Sequence, residues 1–269
     1  MFLPTCVARA RKNFQMKKIV SFFGIFALIA GLVTSCSKDD DDEGKGEGNT
    51  VVQRKLVKVI FGDDDWYEFK YDNEGRCISE TVYNDNQKDG YTLYKYESDK
   101  IICDEYEEDD THFGTATIRL NPNGFIESWE LIIDEASHVI ASKYYYDNQG
   151  QLISVYSMEG DDRNSWTYNY EWKDGNIVKE TKRDEVIIYD YTNSVHTSLL
   201  KNNTNFSFEY MTDPICYNMG MPCKNLPVSK KEGEEETFYE WTMDGDGYPI
   251  KLTNKYSDGE VVTTEYIWE

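Results

Sequence analysis

The chain has 269 residues, 50 of them acidic and 28 basic, for a formal charge of −22. So anionic a surface repels phosphate backbones and anionic headgroups, which excludes nucleic acid as a partner and adhesion to a membrane through a basic face. Aromatic residues reach 14%, with 21 tyrosines and only six prolines, a composition that suits pleated, half-buried strands rather than a disordered chain.

The first 50 residues read as export and attachment. Met16 is a better start than Met1, and it is followed by a short positive region, Lys17 and Lys18. The apolar run Ile19 to Val33 is shorter than the roughly 20 residues a membrane-spanning helix needs, so residues 1–35 are expected to be a signal peptide. Its removal takes away five basic residues (Arg9, Arg11, Lys12, Lys17, Lys18) and no acidic one, leaving a mature chain near −27. The stretch Leu32-Val33-Thr34-Ser35-Cys36 resembles the lipobox of bacterial lipoproteins. That resemblance implies cleavage before Cys36 and acylation of the cysteine, with more than one chain because a single chain anchors weakly. Lys38, Asp39, Asp40, Asp41 and Asp42 come next, and resemble the acidic export signal of Bacteroides-type surface lipoproteins, which implies the outer face of the outer membrane. On physical grounds the same residues are a hydrated, self-repelling spacer. With Gly44 to Asn49 they make residues 36–50 a flexible tether of about 20 Å r.m.s. reach. Two plainer readings stand beside this one: a secreted protein with a chance cysteine at the cleavage site, and a lipoprotein whose acidic run is only a spacer, facing the periplasm.

Residues 51–269 read as one repetitive domain. "YEFKYDNEGRCIS" from Tyr67, "TLYKYESDKIIC" from Thr92, "ATIRLNPNGFIES" from Ala116, "SKYYYDNQGQLIS" from Ser142, "YNYEWKDGNIVKE" from Tyr168 and "YEWTMDGDGYPIK" from Tyr239 share one pattern. The residue entering the turn is Tyr71, Tyr96, Leu120, Tyr146, Trp172 or Met243, and the first five recur every 24 to 26 residues. Before each turn every second residue is apolar, as in Tyr67, Phe69 and Tyr71, with Glu68 and Lys70 between them, which places one strand face inside and the other in water. The turns are rich in Asp, Asn and Gly, residues that cap their own backbone and tolerate positive φ. An apolar residue opens each return strand (Ile78, Ile126, Leu152, Ile177, Ile250). The expectation is an all-β antiparallel meander of roughly ten strands, curled into a barrel-like or half-barrel sheet so that its edges are hidden. An open single-layer sheet is the alternative.

Tyr71-Asp72-Asn73-Glu74-Gly75-Arg76 and Tyr146-Asp147-Asn148-Gln149-Gly150-Gln151 look like the tyrosine–aspartate (YD) repeat of bacterial rearrangement-hotspot and toxin-shell proteins. Together with the lipobox and the closing segment Asp244 to Trp268, the layout resembles a Bacteroides family of surface lipoproteins built on a domain of unknown function. That family implies no catalytic residues, so none are carried over.

Segment 194–231 breaks the pattern and is expected to be an insertion, either a contact region or a plug over one opening. It holds Cys216 and Cys223, which flank a short loop and could form a local disulfide. Cys77 and Cys103 occupy neighbouring repeats; a cross-strand bridge between them competes with buried thiols, since aligning the turns puts the two on opposite faces. No CxxC or HxxxH pair supports a metal site, and His112, His138 and His196 are isolated. Asp244-Gly245-Asp246-Gly247 lacks the later ligands of a calcium loop and falls on a repeat turn. The carboxylates include no pair that spacing would select for glycoside hydrolysis. Trp66, Tyr145, Trp166 and Tyr239 could stack on sugars, although the register of Trp166 and Tyr239 turns them inward. The expected function is therefore a lipid-anchored outer-membrane module, facing the exterior, that binds a glycan or an envelope partner without catalysis and without a cofactor. A carbohydrate hydrolase and a shielding protein are the alternatives.

Overall fold

The computed structural model describes residues 54–62, 64–134, 138–192, 219–221 and 223–269. The signal segment, Cys36 and the acidic run Lys38 to Asp42 lie outside them, as does Cys216.

Sixteen strands run in chain order: β1 (Leu56–Phe61), β2 (Asp65–Tyr71), β3 (Cys77–Asn84), β4 (Gln87–Tyr96), β5 (Lys100–Glu107), β6 (His112–Leu120), β7 (Ile126–Ile133), β8 (His138–Tyr146), β9 (Leu152–Glu159), β10 (Asp161–Lys173), β11 (Asn176–Lys182), β12 (Glu185–Asp190), β13 (Ser229–Glu232), β14 (Glu235–Met243), β15 (Pro249–Tyr256) and β16 (Val261–Trp268). Each pairs antiparallel with its neighbours in sequence, and β16 pairs with β1 through Tyr266 and Val59, so the sheet is a closed barrel without an edge. The all-β meander is as expected. The strand number is not, because the repeat signal is loud only around the Asp-Gly turns and is silent for β1, β12, β13 and β16.

The Asp-Gly turns explain themselves. Asp72, Asn121, Asp147 and Asp244 each accept, through the side-chain oxygen, from the backbone N–H two and four residues on. The fourth turn residue must take positive φ, and it is glycine in all four: Gly75, Gly124, Gly150 and Gly247. These turns gather at one end of the barrel, here the Asp-Gly end. The short turns, such as Asp85-Asn86 with both residues at positive φ, gather at the other.

A register shift precedes most Asp-Gly turns, as between Lys70 and Tyr71 opposite Cys77 and Ser79. The extra residue re-aims the side chains beyond it. Cys77 and Glu80 therefore both point inward, and Cys77 shares the inner face with Cys103 instead of opposing it.

Inward side chains fill the barrel. Leu56, Val59, Ile101, Ile118, Leu131, Leu152, Leu226 and Leu252 are each under 2% exposed. The aromatics at the Asp-Gly end do more than pack. The hydroxyls of Tyr71, Tyr96 and Tyr191 and the indole N–H groups of Trp172, Trp241 and Trp268 donate to the carbonyls of Leu56, Cys77, Ile177, Leu152, Pro227 and Pro249 at 2.7–2.9 Å. Each bond pins the end of one strand to the start of the strand before it, which is the physical use of the recurring aromatic. Tyr146 is the exception: its buried hydroxyl has no partner among the described residues. Tyr71→Phe should therefore lower stability by about 1 kcal/mol, while Tyr146→Phe should leave it unchanged or raise it. Paired thermal melts check this, and equal losses would show that the hydroxyl bonds are idle.

Residues 219–221 and 223–228 lie across the Asp-Gly end. The N–H of Met221 donates to Gly150 O and that of Lys224 to Gly175 O, both at 2.8 Å. Met219 and Leu226 enter the core cluster. Gly220, at φ +95°, sits so close that a Cβ there would fall 2.4 Å from Gly150 O and 2.8 Å from the Tyr146 ring.

Candidate binding surface

The outer wall carries charge on most strands. Lys70, Lys95, Arg119, Glu130, Lys143, Glu171, Glu240, Lys255 and Glu265 are all exposed and point away from the core. A barrel that spans a bilayer presents lipid with an apolar band about 25 Å tall, and a lysine or arginine at its middle costs roughly 2–4 kcal/mol. This wall is built for water.

Its most organised patch lies across β1 to β7 near the short-turn end. Trp66 on β2 and Tyr83 on β3 are directly opposed and stack at 4.5 Å. Tyr91 on β4 and Tyr106 on β5 are likewise opposed and stack at 4.8 Å. Lys58 lies 4.4 Å over Trp66, Lys88 lies 4.2 Å over Tyr91, and His112 meets Tyr106 edge-on. Such pairs stabilise the sheet as cross-strand contacts. They also occupy ring faces. Trp66 has Tyr83 on the β3 side and Lys58 on the β1 side, so the patch presents ring edges, hydroxyls and ammonium groups to solvent, not an open platform. Of the other aromatics singled out in the sequence, Tyr145 is 49% exposed on the outer wall, whereas Tyr239 is 5% exposed in the core. Trp166 faces inward beside Lys182, and its indole nitrogen has no partner among the described residues.

At the edge of the patch, His112 Nδ1 lies 2.5 Å from an Asp134 oxygen, and its Nε2 lies 3.3 Å from the Thr115 hydroxyl. Carboxylate, imidazole and hydroxyl in that order have the outline of a nucleophilic triad. The chemistry is different here, because the Thr115 hydroxyl donates to Asp104 at 2.8 Å, and Thr115 is paired in mid-strand on both sides. What the group does is tie β5, β6 and the end of β7 together.

Three carboxyls lie inside the wall: Glu80 and Glu105, 3% and 4% exposed, and the half-buried Glu180. Glu80 accepts from the Tyr94 hydroxyl at 3.0 Å, and burial raises its pKa to about 7 against the pull of that bond. Glu180 is also raised, chiefly by burial, and is offset by the Tyr189 hydroxyl and by Lys230 and Lys182. The pair register places Glu80 and Glu180 on β3 and β11, well apart around the barrel. Among the described residues no cluster of His, Cys, Asp and Glu could hold a metal ion.

No family model and no curated protein matches the chain. Its fold does match solved structures. A porin-like protein from Bacteroides uniformis ATCC 8492 superposes with a TM-score of 0.60 and 14% identity, over 80% of this chain and 98% of that one. A porin-like protein from Bacteroides vulgatus ATCC 8482 gives 0.53 and 12%, over the same shares. At these identities the likeness is one of fold: a closed antiparallel barrel.

Cys77 and Cys103 are buried thiols on β3 and β5, with β4 between them. Two strand spacings, roughly 9–10 Å, exceed the reach of a disulfide, which leaves the buried thiols of the two readings. Cys223 is a buried thiol whose sulfur accepts from the Ile177 N–H at 3.4 Å. Burial pushes it up to about 11, against the hydrogen bonds from Ile177 and Tyr191, so little thiolate forms at neutral pH. Its proposed partner Cys216 lies outside the described residues, as does His196. Asp244 and Asp246 belong to a turn and both bridge to Arg54, at 2.7 Å each.

Proposed function

We propose that the chain is a lipoprotein of the outer membrane, held by acylated Cys36 on an acidic tether with its barrel facing the exterior, and that it works as a non-catalytic binding module for a glycan or an envelope partner. The observation that carries this reading is the outer wall. A closed barrel whose strands carry charges outward stands in water, so attachment falls to the segment ahead of Arg54, where the lipobox-like Leu32 to Cys36 lies. The porin-like neighbours of like fold come from Bacteroides and support an outer-membrane setting. The aromatic and lysine patch of Trp66, Tyr83, Lys88 and Tyr91 is the natural contact surface, through hydroxyls and cations at ring edges.

The test has two parts. Radiolabelled palmitate should enter the wild type and not Cys36→Ala, and protease added to intact cells should remove the barrel. Equal labelling of the two forms would end the anchoring reading, and full protection until the outer membrane is broken would place the protein inside.

A further inference from the structure

The two ends of the barrel offer a surface very different things. The chain enters β1 at the Asp-Gly end, where Lys55 and Glu269 exchange backbone hydrogen bonds at 2.6 and 2.9 Å. Whatever tethers the barrel therefore leaves from this end. Some of its carboxylates are matched locally: Arg76 bridges Asp72 and Glu74, Arg54 bridges Asp244 and Asp246, and Lys95 and Lys100 both meet Glu97, while Asp99, Asp174 and Asp190 are exposed at the same end. Its outer rim mixes exposed charges, Lys70, Lys95 and Arg119 among them, with exposed apolar side chains. Ile78, Ile153 and Ile250 hold one repeat position just behind the turns, and with Ile267, Tyr145 and Met221 they are 38–49% exposed.

The short-turn end also exposes apolar side chains, Ile132, Val186 and Val261, but it is far more acidic. Exposed carboxylates stand in nearly every described turn there, among them Asp64, Asp85, Asp109, Asp184, Glu234 and Asp258. Lys88 with Asp110, and His112 with Asp134, pair charges at that end.

We infer that the Asp-Gly end is the face turned to the lipid headgroups of the membrane that anchors the chain, and that the acidic short-turn rim, with the aromatic patch beside it, is turned outward. This rests on the acylation of Cys36. An anionic headgroup layer repels carboxylates within about 8 Å, the screening length at physiological salt, and so favours the end whose carboxylates are fewer and more often bridged. Apolar side chains at that end gain from the headgroup boundary. A flexible tether fixed at the same end shortens the search for that pose but does not impose it.

Single-cysteine accessibility on the full chain tests the orientation. Gln87→Cys reports the short-turn end and Gln149→Cys the Asp-Gly end; both positions are exposed. A bulky, membrane-impermeant maleimide applied to intact cells should label Gln149→Cys about tenfold more slowly than Gln87→Cys, the ratio given by about 1.4 kcal/mol of preference for one pose. In a Cys36→Ala background, where the protein floats free, the rates should converge. Adding Ile153→Glu and Ile250→Glu to the anchored form should speed labelling at residue 149 and leave residue 87 unchanged. Equal rates on the anchored protein would overturn the orientation. So would slow labelling at residue 149 that persists without the anchor, since something other than lipid would then cover that end. Palmitate incorporation in the same cells separates a wrong orientation from a wrong anchor: an unlabelled wild type sinks both.

Discussion

Leu131→Ala is expected to cost about 3 kcal/mol, while Ile132→Ala, one residue along the same strand, costs no more than about 0.5 kcal/mol. Leu131 is fully buried and packs into the main core cluster, whereas Ile132 is 51% exposed on the outer wall. Deleting the buried side chain loses its transfer energy and leaves a cavity that a barrel pinned at its Asp-Gly end cannot easily collapse. In a domain of this size about 3 kcal/mol lowers the melting temperature by roughly 6–12 °C. The pair is a sharp test of the inward and outward alternation, because the two residues are chemically alike and adjacent. Similar losses from both would mean that the wall is buried on both sides, by lipid or by another chain, and would undo the water-facing reading of its charges.

The second large effect is one of pH. Glu80 is 3% exposed, and its folded pKa of about 7 stands above the ordinary glutamate value. A carboxyl raised by folding holds its proton in the native state after the unfolded chain has released it. Stability is therefore highest below the unfolded value of 4.5, falls as pH rises from there to about 7, and is level beyond that. The loss across this window is on the order of 3 kcal/mol. Glu80→Gln keeps an oxygen to accept from Tyr94 and cannot ionise, so it should reduce this slope, leaving the part that Glu180 contributes, and make the barrel more stable than wild type at pH 8. Denaturant midpoints at pH 5 and pH 8 for both proteins read it out. An unchanged slope in Glu80→Gln would show that water reaches the carboxyl.

Parts of the candidate surface were legible in advance, and parts could not be. Trp66 stands out in sequence as an outward aromatic in a run of inward ones. Its partner Tyr83 is 17 residues away across a turn, and the second pair, Tyr91 and Tyr106, comes together only because β4 and β5 take a particular register. No short-range pattern encodes that. Glu80 is a similar case. Its burial comes from the register shift opposite Tyr71, which also moved Cys77 to the face shared with Cys103. Counting by twos from the turn misses a bulge, because one extra residue exchanges inside and outside for everything beyond it.

What the amino-acid sequence determined alone was local: strands with one wet and one apolar face, and turns that need an Asp or Asn at the first position and Gly at the fourth. Those arise from steric limits on φ and from side chains that bond their own backbone, and they are complete within a dozen residues. Tertiary structure decided the closure of the sixteen strands among the described residues, the seating of residues 219–221 and 223–228 over the Asp-Gly end, the separation of Cys77 from Cys103 by β4, and the stacking of aromatics along the wall. These depend on how twist and register accumulate around a whole sheet, until Tyr266 meets Val59 from the far end of the chain.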